Sequence, residues 1–209
     1  MNHLVLLGDS IFDNRAYVGG GQAVIDQVKQ RVPSDWQSTL LAVDGHTSRN
    51  IPQQLQHMPK DVTHIVLSVG GNDALNTLQH LGLPATNVMG ALVELSGLLS
   101  TFRRSYTSLL TGLLTLKKPL MVCTVYDAVP GLTDAYKAAL GMFNDVILRE
   151  AIRFGVPVLD LRMICTETGD YSQQSPIEPS SQGGAKIAEK LVAAVLAHDP
   201  MMGGCHVYS

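Results

Sequence analysis

Short apolar runs alternate along the chain with longer segments in which apolar residues recur at every third or fourth position. Five of the runs predict strands, at residues 3–8, 38–43, 62–69, 119–125 and 156–161. Most are apolar throughout and not at alternate positions, which is typical of parallel strands covered on both faces. The segments between them predict helices, at residues 22–32, 91–116, 133–154 and from the N-cap pair Ser180-Ser181 through Ala197.

This alternation of strands and helices predicts the fold class. Each strand–helix–strand unit is expected to cross over in the right-handed sense, which builds a parallel sheet with helices on both faces. We therefore expect an α/β domain of three layers, α/β/α, with five parallel strands in the order 2-1-3-4-5. No internal repeat or linker divides the chain, so residues 1–209 are predicted to form a single domain.

Three loops with glycine and small polar residues follow the first three predicted strands. They are GDS (8–10) with Ser10, VDGHTS (43–48) with Gly45, and VGGNDAL (69–75) with Asn72. Doubly wound sheets bind their ligands outside the carboxyl ends of the strands, where these loops lie. Glycine allows a backbone N–H to approach a ligand closely, so the sequence predicts a binding or catalytic site here. Asp9 and Asp73 are expected to hold turns.

Composition narrows the possible partners. The chain has 209 residues, of which 45% are hydrophobic and 16% charged, and its net charge is −3. Because no cluster of Lys or Arg exceeds two residues, nucleic acid is not an expected partner. The three cysteines are scattered without CxxC spacing, which predicts neither a disulfide nor a zinc site but buried or idle thiols in a reducing compartment. They are Cys123, Cys165 and Cys205.

Other sequence signals are missing as well. No phosphate-binding or dinucleotide glycine pattern follows a predicted strand, so we expect neither a cofactor nor a metal. The apolar stretch 4–7 is too short for a signal sequence. The segment 91–116 is interrupted by Glu94, Arg103 and Arg104, so no membrane span is expected, and the cytoplasm is the expected location.

GDS (8–10), Gly45 and GGND (70–73) resemble the first three sequence blocks of the GDSL/SGNH hydrolases, and the resemblance extends over essentially the whole chain. It implies the flavodoxin-like three-layer fold of these esterases. It also implies that Ser10 attacks a carboxylic ester, of a short acyl or acetyl group, and forms an acyl-enzyme. The family's oxyanion hole would consist of the backbone N–H groups of Ser10 and Gly45 and the side-chain amide of Asn72.

The fourth block departs from the family pattern D-x-x-H-P. Ser175 stands at the position of the Asp and Glu178 at that of the His, directly before Pro179. The usual His–Asp pair is therefore missing. We hypothesise that Glu178 is the general base and that Ser175 hydrogen-bonds its carboxylate, since burial can raise the pKa of a glutamate towards that of histidine. The alternative is that Glu178 caps the last helix.

His46 is the alternative base, because it adjoins Gly45 in the second loop; otherwise it forms a wall of the pocket. His3 and His64 lie at the wrong ends of their strands, and the strand length places His64 roughly 25 Å from Ser10. Three further histidines are expected at the surface, and one lies in a tail for which fraying is favoured over folding back. They are His57, His80 and His198, and His206 in the tail.

Three functions are consistent with these residues. The first is a serine ester hydrolase, the second a weak or inactive relative that binds an acylated ligand, and the third a binding module whose GDS turn is only structural. The expected partner is a small molecule, an ester in the first case, and the oligomeric state is left open. The segments 12–21 and 126–136 are expected to border the site, with three tyrosines as candidate wall residues. They are Tyr17, Tyr126 and Tyr136.

Overall fold

The computed structural model describes residues 2–201 and 203–209, and these residues form one parallel sheet of six strands. The strands are β1 (Asn2–Gly8), β2 (Trp36–Leu40), β3 (His64–Ser68), β4 (Leu120–Cys123), β5 (Val158–Leu159) and β6 (Val207–Tyr208). Their order is β2-β1-β3-β4-β5-β6, and every neighbouring pair is parallel. The predicted order of the first five strands is confirmed, and a sixth strand is added to the predicted five.

Long helices follow the strands, as the crossover connections require. The α-helices of the described residues are α1 (Val24–Arg31), α2 (Ile51–Leu55), α3 (Gly71–Leu75), α4 (Leu78–Leu81), α5 (Val88–Leu114), α6 (Asp134–Phe154) and α7 (Ser181–Ala197). The four predicted helices correspond to α1, α5, α6 and α7, whereas the short helices α2, α3 and α4 were not predicted. Within the two described ranges, no helix has the length and apolarity needed to cross a membrane.

The uninterrupted apolar runs reflect burial on both faces of the sheet. Successive side chains of a strand point to opposite faces. In β1, Leu4 and Leu6 join the core beneath α1 and α7, whereas Val5 and Leu7 join the core beneath α5 and α6. All four side chains are fully buried. The expected three-layer α/β/α arrangement is thereby confirmed.

The second strand ends earlier than the apolar run suggested. The backbone N–H groups of Leu41 and Ala42 both donate to the Leu6 carbonyl, at 2.9 and 3.0 Å. Two successive donors on one acceptor interrupt the regular ladder, so β2 ends at Leu40 and not at residue 43. An apolar run indicates which residues approach the core, but it does not fix where the hydrogen-bonded ladder stops.

The C-terminal tail forms the edge strand β6, so the prediction that it frays was wrong. Val158 N donates to His206 O and Asp160 N donates to Tyr208 O, both at 2.8 Å. The ring Nδ1 of His198 and the Tyr208 hydroxyl form a further hydrogen bond of 2.9 Å. The tail thus satisfies the N–H groups at the outer edge of β5. The glycines of the tail predicted fraying, but this local signal does not show that the outer edge of β5 is available for the tail to pair with.

Two buried amide side chains bind backbone groups at the carboxyl edge of the sheet. Asn144 of α6 accepts from Val125 N and donates to Val125 O, both at 2.8 Å. Gln54 of α2 accepts from Gly8 N at 2.9 Å and donates to Gly8 O at 2.6 Å. Each amide pairs with both polar groups of one residue, so the backbone at the end of β1 and beyond β4 is held from the side.

The cysteines carry free thiols in the structure. Cys123 and Cys165 are buried, whereas Cys205 is half-buried. Burial raises the pKa of Cys165 to about 12. A thiol with so high a pKa stays protonated at neutral pH, and only the thiolate is a good nucleophile. Cys165 is therefore a core residue without expected reactivity.

Gly8 is a position at which the fold has no room for a side chain. Its φ is 140°, and a Cβ built there would overlap the carbonyl oxygen of Ser68 on β3. We expect Gly8→Ala to lower the free energy of unfolding by about 3 kcal/mol or more, because backbone strain and overlap add. Gly131→Ala is the control, since Gly131 has a φ of 79° with open space around it; strain alone predicts a loss of about 1–2 kcal/mol. Urea denaturation measures both, and equal losses would contradict this account.

Candidate active site

Ser10 lies in the first turn after β1, and Asp9 holds this turn. Asp9 N donates to Ser68 O at 3.2 Å, which ties the turn to β3. The Asp9 carboxylate accepts from Ile11 N at 3.1 Å, and its carbonyl accepts from Asp13 N at 3.0 Å. The turn-forming role predicted for Asp9 is confirmed. As a result Ser10 is nearly buried, with 6% of its surface exposed, and it faces a cavity.

This cavity has a volume of about 90 Å³ and lies between the carboxyl edge of the sheet and helices α3, α4 and α6. One end is polar and carries Ser10, Asn72 and Glu178 together. The rest of the wall is mostly aliphatic or aromatic, and includes Leu75, Leu78, Leu81, Leu132, Leu140 and Phe143. The structure thus places a hydroxyl, an amide and a carboxylate at the end of an apolar chamber.

The segment that carries Glu178 is fixed by backbone hydrogen bonds. Glu178 N donates to Ser175 O at 2.9 Å, and Glu178 O accepts from Ser172 N at 2.8 Å. The Tyr126 hydroxyl donates to Ile177 O at 2.7 Å. Ser175 therefore supports Glu178 through its carbonyl. In the described part of the chain its hydroxyl makes no hydrogen bond to the Glu178 carboxylate, so the expected side-chain contact is not present.

The Glu178 side chain is buried and points towards Ser10. Of the Glu178 carboxylate atoms, Oε2 is buried and has no hydrogen-bond partner among the described residues. Burial raises the pKa of Glu178, the nearby Ser10 hydroxyl lowers it, and the negative charge of Asp44 raises it, with a net rise. The helix α7 is capped by Ser180, whose hydroxyl accepts from Gly183 N at 3.1 Å. The helix cap is thus provided by Ser180 and does not require Glu178.

The second loop lies against α3 through side-chain contacts. Asn72 Nδ2 donates to His46 O at 2.9 Å, and an amide NH₂ has a second hydrogen to offer. Asp73 accepts from the backbone N and the hydroxyl of Ser48, at 2.9 and 2.6 Å. Its carboxylate therefore joins α3 to the second loop, and the prediction that it holds a local turn was wrong. Gly45 itself has a φ of 79° and does not line the cavity.

Two of the predicted oxyanion donors are unengaged. In the described residues, neither Ser10 N nor Gly45 N donates a hydrogen bond. Their neighbours do: Asp9 N is bound to Ser68 O, and His46 N donates to Val43 O at 3.1 Å. Free N–H groups on two adjoining loops are what a site for a developing negative charge requires.

Gln54 is a site residue that the sequence did not indicate. Besides its two bonds to Gly8, its Nε2 lies 2.9 Å from His46 Nδ1. Because the amide nitrogen can only donate, Nδ1 accepts and the proton of the neutral ring is on Nε2. Gln54 therefore occupies the only ring nitrogen of His46 that could accept a proton, and His46 does not line the cavity. This arrangement argues against His46 as the base.

The remaining predicted residues have structural or peripheral positions. His3 is buried and binds Asp61 and Thr39, at 2.9 and 2.8 Å. His64 stacks on Trp36 at the opposite edge of the sheet, as expected. His57 and His80 are exposed as predicted, whereas His198 is half-buried against the tail and its predicted surface position was wrong.

The three candidate tyrosines separate into two groups. Tyr126 and Tyr136 line the cavity. Tyr17 lies outside its wall and donates from its hydroxyl to the Asp44 carboxylate at 2.6 Å. That hydrogen bond raises the pKa of Tyr17 to about 12, with smaller contributions from burial and from the charge of Glu178. Tyr17 and Asp44 thus stand near Glu178, outside the cavity wall.

Acidic groups dominate the polar end. Burial raises the pKa of Asp9 well above its ordinary value, and the negative charges of Glu178 and Asp73 add to that rise. The carboxylates nevertheless do not converge as ligands. Among residues 2–201 and 203–209, no group of three metal-ligating side chains forms a metal site.

The pKa of Glu178 has a consequence for stability. When a carboxyl group has a higher pKa in the folded than in the unfolded protein, the folded protein becomes less stable as the pH rises from the lower pKa to the higher one. We expect Glu178→Gln to raise the melting temperature at pH 7, because it removes a buried charge. The gain should shrink as the pH falls through the raised pKa and vanish below the ordinary glutamate range. Glu189→Gln, at an exposed position, should change little at either pH. A destabilised Glu178→Gln protein at pH 7 would contradict the burial argument.

Comparison with known proteins gives the chain its family. A search of curated proteins finds no match. Among solved structures, the lipase Lip_vut3 from a goat rumen metagenome has a TM-score of 0.72 at 17% identity, over 93% of this chain and 97% of that one. The acetyl xylan esterase AlAXEase has a TM-score of 0.68 at 16% identity, over 92% of this chain and 99% of that one.

A lipolytic protein of the G-D-S-L family from Veillonella parvula has a TM-score of 0.70 at 13% identity, over 95% of this chain and 100% of that one. At such identities these likenesses show the shared fold. The model of the GDSL-like lipase/acylhydrolase family matches residues 6–186, which is most of the chain. The protein therefore belongs to the GDSL-like lipase/acylhydrolase family.

Proposed function

We propose that this protein hydrolyses carboxylic esters through an acyl-enzyme on Ser10, with Glu178 as the general base. One observation carries the proposal. A buried carboxylate, with one oxygen lacking a partner among the described residues, lies beside the Ser10 hydroxyl at the polar end of an apolar chamber. Burying a carboxylate without full hydrogen bonding is costly, and such groups cluster at functional sites.

The proposed reaction has two halves with the same proton carrier. Ser10 Oγ attacks the ester carbonyl, and its proton passes to Glu178. The tetrahedral intermediate collapses to the acyl-enzyme, and Glu178 returns the proton to the leaving alcohol. Water then attacks the acyl group and gives a proton to Glu178. Collapse of the second intermediate releases the carboxylic acid, and Ser10 recovers its proton.

The oxyanion would be held by the unengaged N–H groups of Ser10 and Gly45 and by the second hydrogen of the Asn72 amide. Asn72 suits this role because its contact with His46 O fixes its side chain while one N–H is left over. Donors that are already in place need no rearrangement when the negative charge forms.

A carboxylate base explains how the family's Asp can be absent. When histidine accepts a proton it becomes a cation, and a neighbouring carboxylate compensates that charge. When Glu178 accepts a proton it becomes neutral, so no counter-charge is required. Burial favours the neutral form, which raises the pKa of Glu178 and makes it a stronger base than ordinary glutamate. The nearby charge of Asp44 acts in the same direction.

The cavity wall indicates the acyl group. Beyond Ser10 the chamber offers leucine and phenylalanine side chains, which suit a short aliphatic acyl chain better than a sugar. The solved neighbours include a protein named as a lipase and one named as an acetyl xylan esterase, and an apolar chamber favours the former kind of acyl substrate. We therefore propose small-molecule aliphatic esters as substrates.

The role of Glu178 is tested by its pH profile. Turnover of p-nitrophenyl butyrate should rise with pH as Glu178 ionises, because only the carboxylate accepts the Ser10 proton. This rising limb of the pH profile should lie at higher pH than the ordinary pKa of glutamate. Glu178→Gln should lower turnover by roughly 10²–10⁴ and abolish that limb. His46→Ala is the control and should keep both turnover and limb.

Three outcomes distinguish the alternatives. Loss of activity in His46→Ala with a normal Glu178→Gln would assign the base to His46. An active Ser10→Ala protein would exclude the acyl-enzyme. If the wild type is inactive, stabilisation of Ser10→Ala by an acyl ester would support the ligand-binding relative instead.

The oxyanion hole is tested at Asn72. Asn72→Ala should lower kcat by about a hundredfold or more with little change in KM, since the donor acts on charge that exists only in the transition state. Asn76→Ala is the matched control, an exposed asparagine at the end of the same helix. Thermal melting confirms that both variants fold, and an unchanged kcat in Asn72→Ala would remove Asn72 from the site.

A further inference from the structure

The first half of α5 extends an apolar side to solvent. Phe102 is the first buried residue of this helix, fourteen positions after it begins at Val88. Val88, Met89 and Val93 are 62–77% exposed, and Leu92 and the preceding Leu83 are exposed as well. Single exposed apolar residues are ordinary, but neighbouring ones mark an interaction surface. We call these five residues the α5 patch.

The patch lies in a segment almost without charge. Between Asp73 and Arg103 the only formally charged side chain is Glu94. At the chain's average of 16% charged residues, residues 74–102 would carry about four or five. Charged side chains normally keep such a helix in water, so their absence is a second property of the same surface, independent of its exposure.

Opposite its exposed apolar residues, the first half of α5 carries glycines and one charged side chain, Glu94. Met89 and Val93 are one turn apart, as are Val88 and Leu92, so the exposed apolar residues share one side. Gly90, Glu94 and Gly97 recur at three- and four-residue steps on another side. An amphipathic helix of this kind lies flat at an interface between water and hydrocarbon, with its apolar side down.

The patch follows the cavity-lining helix α4 closely along the chain. Leu78, Tyr136 and Ile177 line the cavity and are each more than one-third exposed, so the opening itself is apolar. The helix α4 carries Leu78, and the chain then continues through Leu83 into α5. An acyl chain could pass from a hydrocarbon phase to Ser10 along apolar surface.

We propose that the α5 patch docks the protein on a neutral lipid surface, with the cavity opening towards the lipid. A lipid surface fits better than a second copy of the chain, because a copy seated beside Leu78 would crowd the opening, whereas lipid would supply it. The absence of Lys and Arg means that adhesion comes from apolar burial and does not need anionic lipid. The choice of lipid as occupant rests on the proposed hydrolysis of aliphatic esters.

Flotation with vesicles of pure phosphatidylcholine tests the docking. Wild-type protein should float with the vesicles, and binding should persist in 0.5 M NaCl, because charge does not carry it. The double variant Met89→Asp/Val93→Asp should bind at least about tenfold more weakly. Ile152→Asp is the matched control, since Ile152 is 64% exposed on the last turns of α6, away from the cavity, and should bind as the wild type does.

Two further measurements make each outcome decisive. The double variant should hydrolyse a water-soluble short ester like the wild type, which shows that it folds and that its site is intact. Ser10→Ala should still float, so a failure of the proposed hydrolysis leaves the docking result interpretable. The proposal is overturned if the wild type does not float, or if the double variant floats equally well. It is also overturned if light scattering shows that the wild type and the Ile152→Asp control are dimers whereas the double variant is a monomer, because the patch would then join two copies.

Discussion

The backbone at the end of β1 is held on two sides, and the site depends on that restraint. Gly8 lies so close to β3 that it has no room for a side chain, and Gln54 binds its N–H and carbonyl from the other side. The next N–H, of Asp9, is bound to Ser68. The direction in which the chain leaves the sheet is therefore fixed before the turn begins, and this direction determines the position of Ser10.

The same restraint extends to the neighbouring loop. Val43 N donates to Gly8 O at 3.1 Å, and Gln54 binds His46, so the loop that carries Gly45 is attached to the end of β1. Asn72 then attaches α3 to that loop through His46 O. Three segments that are distant in sequence thus form one hydrogen-bonded unit, and a substitution at Gly8 or Gln54 would alter the position of all three.

The sequence predicted those features that depend on local pattern. Runs such as LVLL in β1 gave the strands and their order, and glycine with small polar residues gave the loops that surround the cavity. It could not predict Gln54, whose role comes from a contact with Gly8, 46 positions away. The strand β6 was missed for a similar reason, since two residues form a strand only because the edge of β5 is open to them.

The amides of Gln54 and Asn144 have a consequence for how the site works through repeated turnovers. Each binds a backbone residue as an adjacent strand would, although neither belongs to a strand. The loops beyond the carboxyl edge thereby acquire restraints of the kind that order the sheet. In the proposed reaction, restraints that form when the protein folds need not form again in each cycle, so the entropy of ordering these loops does not add to the barrier.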